Sequence, residues 1–172
     1  GKVFQYSSIE KVIIGNGVSK INEDAFYKCE KLAAVEFRGE RQDALTLENE
    51  IFYSCNNIVT IKLPAKINAF DLRLLQALPN LQSIEVEDGG SVYGSVNGML
   101  TNSTKKTILY CPKTVTGEFT VPRGIQYIGE AALEGCSRIT SVVIPNYVKS
   151  IGDSAFSNCK SIKTVTIDGK RN

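Results

Sequence analysis

The chain repeats one pattern of apolar residues about every 23 positions, and this repeat constrains its fold more than any other feature. The pattern of Ile128–Cys136 recurs at Ile151–Cys159 with an offset of 23. Three earlier copies align around Phe26, Phe52 and Leu75. A period of this length is typical of a solenoid, in which each copy buries its apolar side against its neighbours. We therefore predict one solenoid domain of about six coils.

Each copy contains two parts with different periodicities. The end alternates apolar and polar residues, as at Leu32, Val35 and Phe37, which predicts a half-buried strand. The beginning spaces its apolar residues by three and four, as in Ile151–Cys159, which favours a short helical turn. Pro and Gly-Asn pairs separate the two parts. We expect a β-rich α/β solenoid with a concave parallel sheet and short helical turns on the convex side.

Residues 87–118 depart from the repeat. Two apolar runs, at 92–100 and 106–112, flank a polar turn at 101–105, which predicts a β-hairpin replacing the helical part of one coil. The predicted organisation is a lead-in at 1–8 and a single repeat domain at 9–172 that contains this variant segment. An irregular insertion in a regular array is often where function lies, so the hairpin itself is one candidate recognition element.

Composition excludes several classes of function. The 172 residues include no histidine, so the chain has no Ser-His-Asp or Cys-His nucleophile and no His-ligated metal. A net charge of +2 argues against general binding to nucleic acid or membrane surfaces. No apolar run approaches the roughly 18 to 20 residues of a membrane span, and the first residues have no signal-peptide pattern. We expect no membrane insertion by this chain and no cofactor.

Catalysis by carboxylates is also not expected. Glu23, Asp24, Glu130 and Asp153 lie just before the Ala-Phe position of their copies. Acidic residues at that point favour the first turn of a helix, so capping explains their recurrence better than general acid–base chemistry does. We therefore expect a protein that is not an enzyme.

Four of the five cysteines occupy one position of the repeat. Leu78 stands at the same position in a further copy, and an aliphatic side chain fills a core but cannot ligate a metal. This pattern favours a buried column of free thiols over a metal or redox ladder. The only pairs to check for disulfides are Cys29 with Cys55 and Cys136 with Cys159. Cys111 lies in the predicted hairpin, outside the column, and is the candidate for an exposed reactive thiol.

The outward positions of the predicted concave strands form the candidate binding face. It is a mixed, mostly small-residue surface without aromatic side chains, which argues against sugar stacking there. The alternative is that its side chains only stabilise neighbouring strands, for example through a Glu36–Lys62–Glu85 series. We expect each residue beside its counterpart in the next coil. The twelve positions are Ala34, Glu36, Thr60, Lys62, Ser83, Glu85, Glu118, Thr120, Ser141, Val143, Thr164 and Thr166.

The pattern I-G-x-x-A-F-x-x-C-x-x-I-x-x-V-x-I-P, found over about residues 9–167, resembles the BspA-like leucine-rich repeats of the Treponema pallidum type. The variant runs Val96–Leu100 and Thr107–Pro112 also resemble that family's interrupted segment. The resemblance implies a right-handed leucine-rich-repeat coil in a secreted or surface-anchored bacterial protein.

It further implies an extracellular adhesion module whose partners are host matrix proteins such as fibronectin and fibrinogen. A spacer or stalk within a larger surface protein is the alternative, and a glycan-binding module is a less favoured third.

Overall fold

The computed structural model describes residues 2–169. Residue 1 and residues 170–172, which belong to the predicted lead-in and repeat domain, lie outside the described part. In chain order the elements are β1 (Lys11–Ile14), β2 (Lys20–Ile21), β3 (Ala34–Phe37), β4 (Thr46–Leu47), β5 (Thr60–Leu63), α1 (Arg73–Gln76), β6 (Ser83–Val86), β7 (Tyr93–Val96), β8 (Met99–Asn102), β9 (Thr107–Tyr110), β10 (Gly117–Thr120), β11 (Tyr127–Ile128), β12 (Ile139–Ile144), β13 (Ser150–Ile151) and β14 (Thr164–Ile167).

Seven strands, one from each coil, line one side of the solenoid. They form two parallel sheets, in the orders β1-β3-β5-β6 and β10-β12-β14. The register follows the repeat, because Val12 pairs with Val35 and Val142 pairs with Val165. The described residues therefore form seven coils, one more than the repeats predict, and the predicted parallel sheet is confirmed. We call the outward side of these seven strands the strand face.

The short strands form the opposite wall of each coil. Strand β2 pairs with β4, and β9, β11 and β13 pair in parallel in the second half of the chain. Between the two walls lies the core, in which Leu32, Ile58, Leu81 and Ile139 are fully buried.

Among residues 2–169, the predicted helical turns are found only at α1. In the other regular copies, hydrogen bonds between residues three apart close successive β-turns, such as those from the Ala25 N–H to the Asn22 carbonyl and from the Cys29 N–H to the Phe26 carbonyl. Asp24 and Lys28 have φ values of 59° and 53°, in the left-handed region that ends a right-handed helix. We call this stretch of each coil the turn side. Its geometry also overturns the predicted helix capping by acidic residues, since Asp24 is itself left-handed.

The turn side is held to the next coil by backbone hydrogen bonds. The N–H groups of Phe26 and Lys28 donate to the carbonyls of Ile51 and Tyr53, at 3.0 and 2.8 Å. Residues of the predicted lead-in take part in the same way, because the Phe4 N–H donates to the Ala25 carbonyl at 3.0 Å. Residues 4–14 therefore form the turn side and long strand of a first coil.

The variant segment is a three-stranded antiparallel meander, one strand more than the predicted hairpin. Strands β8 and β9 form the expected hairpin, and β7 adds a second one through a turn at Asn97 and Gly98. Both turn residues have positive φ, 50° and 76°, as a type I′ turn requires. The meander joins two core clusters: Leu100 packs in the first and Met99 in the second.

Two glycines are required by the close approach of neighbouring coils. A Cβ atom at Gly129 would lie 2.7 Å from the Ile108 carbonyl oxygen, and one at Gly152 would lie 2.6 Å from the Glu130 nitrogen. The Ile-Gly pair of the repeat is thus explained by steric contact between backbones.

We predict that Gly129→Ala lowers the free energy of unfolding by about 1 to 3 kcal/mol, the usual cost of overpacking a rigid site. Urea denaturation followed by circular dichroism measures the change. Gly15→Ala is the matched control, because an added Cβ there meets nothing within 4 Å. An equal loss of stability in both variants would contradict the steric explanation.

Candidate functional site

The strand face presents the predicted alternation of outward and inward residues. Thr60 is half-buried and Lys62 is exposed, whereas Ile61 between them is 1% exposed. The same alternation holds on β3, β6 and β12. Strand β14 is exposed on both sides, because no described coil covers it. The twelve predicted positions thus lie on the outward side.

The strand face is divided in two, contrary to the prediction of one continuous stack. The meander's Asn97–Gly98 turn covers the edge of β6, where the Ile84 N–H donates to the Gly98 carbonyl at 2.9 Å. The next N–H along that edge, from Val86, donates to the Ser95 hydroxyl at 3.0 Å. The outward residues of β6, Ser83 and Glu85, are therefore not paired with those of β10. The sequence marked residues 87–118 as irregular, but the repeat spacing did not show that their turn covers the edge of β6.

Most charges on the first half of the strand face are paired within it. Glu36 contacts the Lys11 ammonium at 2.7 Å and the Arg38 guanidinium at 2.8 Å. The hydrogen bond from Lys11, and then that from Arg38, lowers the pKa of the Glu36 carboxyl. Lys62 pairs with Glu85 at 3.3 Å. The expected Glu36–Lys62 pair does not form, although the two residues are register neighbours.

Two outward residues were missed by the sequence analysis. Lys11 and Ile13 lie on β1, which pairs with β3, and the Ile13 side chain is 51% exposed. The signal was present, because Val12 and Ile14 stand 23 positions before Val35 and Phe37. With β1 included, the first half of the strand face has an apolar side chain at its end.

The cysteine column is buried, as predicted. Cys29, Cys55 and Cys136 are fully buried and Cys159 is 9% exposed, and all are free thiols. The Cys29 thiol donates to the Phe4 carbonyl at 2.9 Å, and the Cys55 thiol donates to the Phe26 carbonyl at the same distance. Each thiol thus bonds to the backbone of the preceding coil. Burial raises the pKa of the Cys55 thiol to about 11.

Cys111 is buried, so the prediction of an exposed reactive thiol was wrong. Its N–H donates to the Ala132 carbonyl at 2.8 Å, as the Leu133 N–H donates to Ala155 one coil later. Cys111 therefore takes the place that phenylalanine has in regular coils, and it is 1% exposed. The neighbouring Cys136 thiol, together with burial, holds the pKa of Cys111 well above its ordinary value.

We predict that none of the five thiols reacts with a disulfide reagent at pH 8 in the native protein, and that all five react in urea. The reason is that all five thiols are buried, so the reagent cannot reach them in the folded protein. Thr104→Cys, at an exposed position of the meander, is the positive control. Rapid native labelling of Cys111 would contradict the structure.

We also predict that the free energy of unfolding falls as the pH rises from 9 to 11. The folded Cys55 keeps its proton up to about pH 11, whereas the unfolded thiol loses it near pH 9.0. The unfolded state then binds fewer protons, so higher pH favours unfolding. Urea denaturation at pH 8 and at pH 10 measures the free energy of unfolding at each pH. We expect Cys55→Ala to reduce the difference between these two free energies. An unchanged difference in that variant would contradict the assignment.

Neither a cluster of metal-ligating side chains nor a membrane-spanning helix is found among the described residues. No three cysteine or carboxylate side chains of residues 2–169 come together as a metal ion would require. Across the same residues, no helix has the length and apolar character needed to cross a membrane.

A solenoid of parallel strands recurring every 23 residues has the repeat length of leucine-rich-repeat proteins, about 20 to 29 residues. This chain belongs to the BspA-type leucine-rich repeat family, since that family's model, described as a BspA type leucine rich repeat region, matches it in six copies over residues 1–117 and 109–172. A search of curated proteins finds no match.

Solved structures of other repeat proteins share the fold. The pneumococcal vaccine antigen PcpA aligns over 94% of this chain and 40% of its own, with a TM-score of 0.72 and 19% identity. A leucine-rich repeat protein from Eubacterium ventriosum ATCC 27560 aligns over 94% and 61%, with a TM-score of 0.55 and 18% identity. A leucine rich cell surface protein from Faecalibacterium prausnitzii A2-165 aligns over 91% and 60%, with a TM-score of 0.50 and 19% identity. The chain thus spans less than two thirds of each neighbour.

Proposed function

We propose that this chain is a non-catalytic protein-binding module of a bacterial surface or secreted protein, and that it binds an extracellular protein through its strand face. Membership of the BspA-type family supports this proposal. So do two structural neighbours, which are described as a vaccine antigen and as a cell surface protein. Host matrix proteins, such as fibronectin and fibrinogen, are the proposed partners.

The observation that carries the proposal is the second half of the strand face. Its outward side chains are small and, apart from Glu118, uncharged, and Thr120, Val143 and Thr166 lie in one row across three paired strands. Short and β-branched side chains lose little rotamer entropy when a partner covers them. The backbone beneath is already fixed by the parallel ladder. A protein surface can thus be bound here with little ordering of the module.

Four clefts of the molecule lie away from the predicted positions of the strand face. They have volumes of about 220 to 390 Å³, and none of the twelve predicted positions lines them. A face that lines none of these four clefts fits a protein partner better than a small molecule, which binds in a concave pocket.

The test is surface plasmon resonance of the chain against immobilised fibronectin and fibrinogen at physiological salt. We expect binding, and we expect Thr120→Arg with Thr166→Arg to weaken it by at least about tenfold, because two bulky cations would stand on the contact surface. Thr104→Arg, which adds a cation on the meander, is the control. Absence of binding, or an equal loss in the control, would contradict the strand-face proposal, and the second result would favour the meander as the recognition element.

A spacer function is the second candidate, and the two ends of the solenoid favour it. At the last coil, Val165 and Ile167 are 54% and 67% exposed. At the first coil, a cleft of about 230 Å³ is lined mainly by apolar side chains, including Val3, Phe4 and Val18. Such ends suit further coils of a longer array. For this candidate we expect no response from either matrix protein in the binding experiment.

A further inference from the structure

A row of three tyrosines in contact with one another lies on the turn side of the first three coils. The ring centroids of Tyr6 and Tyr27 are 5.8 Å apart in an edge-on contact with an interplanar angle of 80°, and those of Tyr27 and Tyr53 are 5.0 Å apart and stacked, with an interplanar angle of 6°. Tyr6 is 64% exposed and Tyr53 is 44% exposed. Because each tyrosine comes from a successive coil, the row runs along the axis of the solenoid. We call it the tyrosine row.

Lysine side chains accompany the tyrosine row. The Lys28 ammonium lies 5.6 Å from the centroid of the Tyr6 ring and 5.3 Å from that of Tyr27, and the Lys2 ammonium lies 5.8 Å from Tyr27. Lys28, Lys31 and Glu30 line a cleft of about 220 Å³ beside Tyr6, so its charged lining has one more cation than anions. Within residues 2–169, none of these three lysines forms an ion pair with a carboxylate. Their charges are therefore available to an anion from outside the chain.

The chemistry of the row favours oxygen-rich anions. Aromatic ring edges carry partial positive charge, and tyrosine hydroxyls donate hydrogen bonds. Lysine ammonium groups add full positive charges at the Tyr6 end. A ligand with sulfate or carboxylate groups and many hydroxyls would satisfy all three features.

The spacing of the row distinguishes a glycan from a peptide. The rings repeat every 5.0 to 5.8 Å, which is close to the length of one sugar ring in an extended glycan. Residues on the same side of an extended peptide repeat only about every 6.6 Å, so a peptide strand would fall out of step with the tyrosines.

We propose that Tyr6, Tyr27 and Tyr53, together with Lys28, form a binding site for an acidic glycan that lies along the solenoid axis. This site is separate from the strand face and does not depend on the proposed protein binding. It also differs from the glycan-binding alternative considered in the sequence analysis. That alternative concerned the twelve predicted positions of the strand face, which include no aromatic side chain.

The two ends of the row suggest how the glycan is oriented. At the Tyr53 end lies a cleft of about 280 Å³, which opens where α1 replaces the regular turn, and Phe52 and Leu74 line it. Glu50, Asp71 and Arg73 also line this cleft, and because Arg73 pairs with Asp71 at 2.5 Å, the charge of Glu50 is left over and disfavours anions there. The acidic groups are expected at the Tyr6 end, beside Lys28, and neutral sugar rings at the Tyr53 end.

The last coil of the chain supplies a substitution for testing the site that is compatible with the turn. Ser157 and Asn158 stand in the last coil where Tyr27 and Lys28 stand in the second, each pair directly before its cysteine. Asn158 has a φ of 58°, close to the 53° of Lys28. The double variant Tyr27→Ser/Lys28→Asn therefore copies a sequence that this turn already accepts.

The experiment is isothermal titration calorimetry with a sulfated heparin octasaccharide, its desulfated counterpart and a polyglutamate peptide. We expect the native chain to bind the sulfated octasaccharide at least about tenfold more tightly than either other probe, and the double variant to lose at least about tenfold in affinity. Lys149→Asn is the matched control. It removes an exposed lysine that lies over a tyrosine, 5.8 Å from the Tyr127 ring centroid, and that tyrosine is not part of the row.

Retained affinity in the control, with loss in the double variant, would support the site. No binding of the sulfated octasaccharide, equal losses in both variants, or equal binding of the desulfated probe would overturn it, and equal binding of polyglutamate would overturn the assignment to a glycan. The Thr120→Arg/Thr166→Arg protein should still bind the octasaccharide, so failure of this site and failure of the strand face can be told apart. Thermal unfolding of each variant checks that the fold is intact.

Discussion

Backbone hydrogen bonding between successive coils is the interaction on which the rest of the structure depends. A single coil has one strand and a few turns, and it cannot bury its own apolar residues. Parallel pairing on the strand face and the donations from Phe26 and Lys28 on the turn side hold each coil against the next. Only then are leucines and isoleucines enclosed. The same contact explains why Gly129 and Gly152 cannot carry a side chain.

The meander is the place where this regular contact changes its form. It keeps the core continuous, because Leu100 packs with the first cluster and Met99 with the second. Side chains at its last strand and just after it reach back across the joint: the Tyr110 hydroxyl donates to the Leu75 carbonyl at 3.1 Å, and the Lys113 ammonium donates to the Gln76 carbonyl at 3.0 Å. The two halves of the solenoid are thereby joined, while the strand face is divided between them.

One repeat produces two surfaces of different character. On the strand face, alternation places short polar side chains over a rigid parallel sheet, and many of its charges are already paired. On the turn side, the position two residues before the column cysteine carries tyrosine in the second and third coils. These two rings stack on each other, and Tyr6 of the first coil contacts Tyr27 edge-on. The first surface suits a broad protein contact, whereas the second suits an extended acidic chain. Both follow from the distance between coils, which sets the spacing of side chains along the axis.

The sequence by itself determined the solenoid, its parallel strands and the buried cysteine column, because a residue that recurs every coil must occupy one position of the stack. It could not determine the turns, since Asp24 and Lys28 are residue types that helices also accept, and their left-handed conformation depends on the contact with the next coil. Nor could it place Cys111, whose burial follows from its backbone bond to Ala132. The division of the strand face and the tyrosine row were decided only in the tertiary structure. They arise where residues far apart in sequence are brought together, at the edge of β6 and across three successive coils.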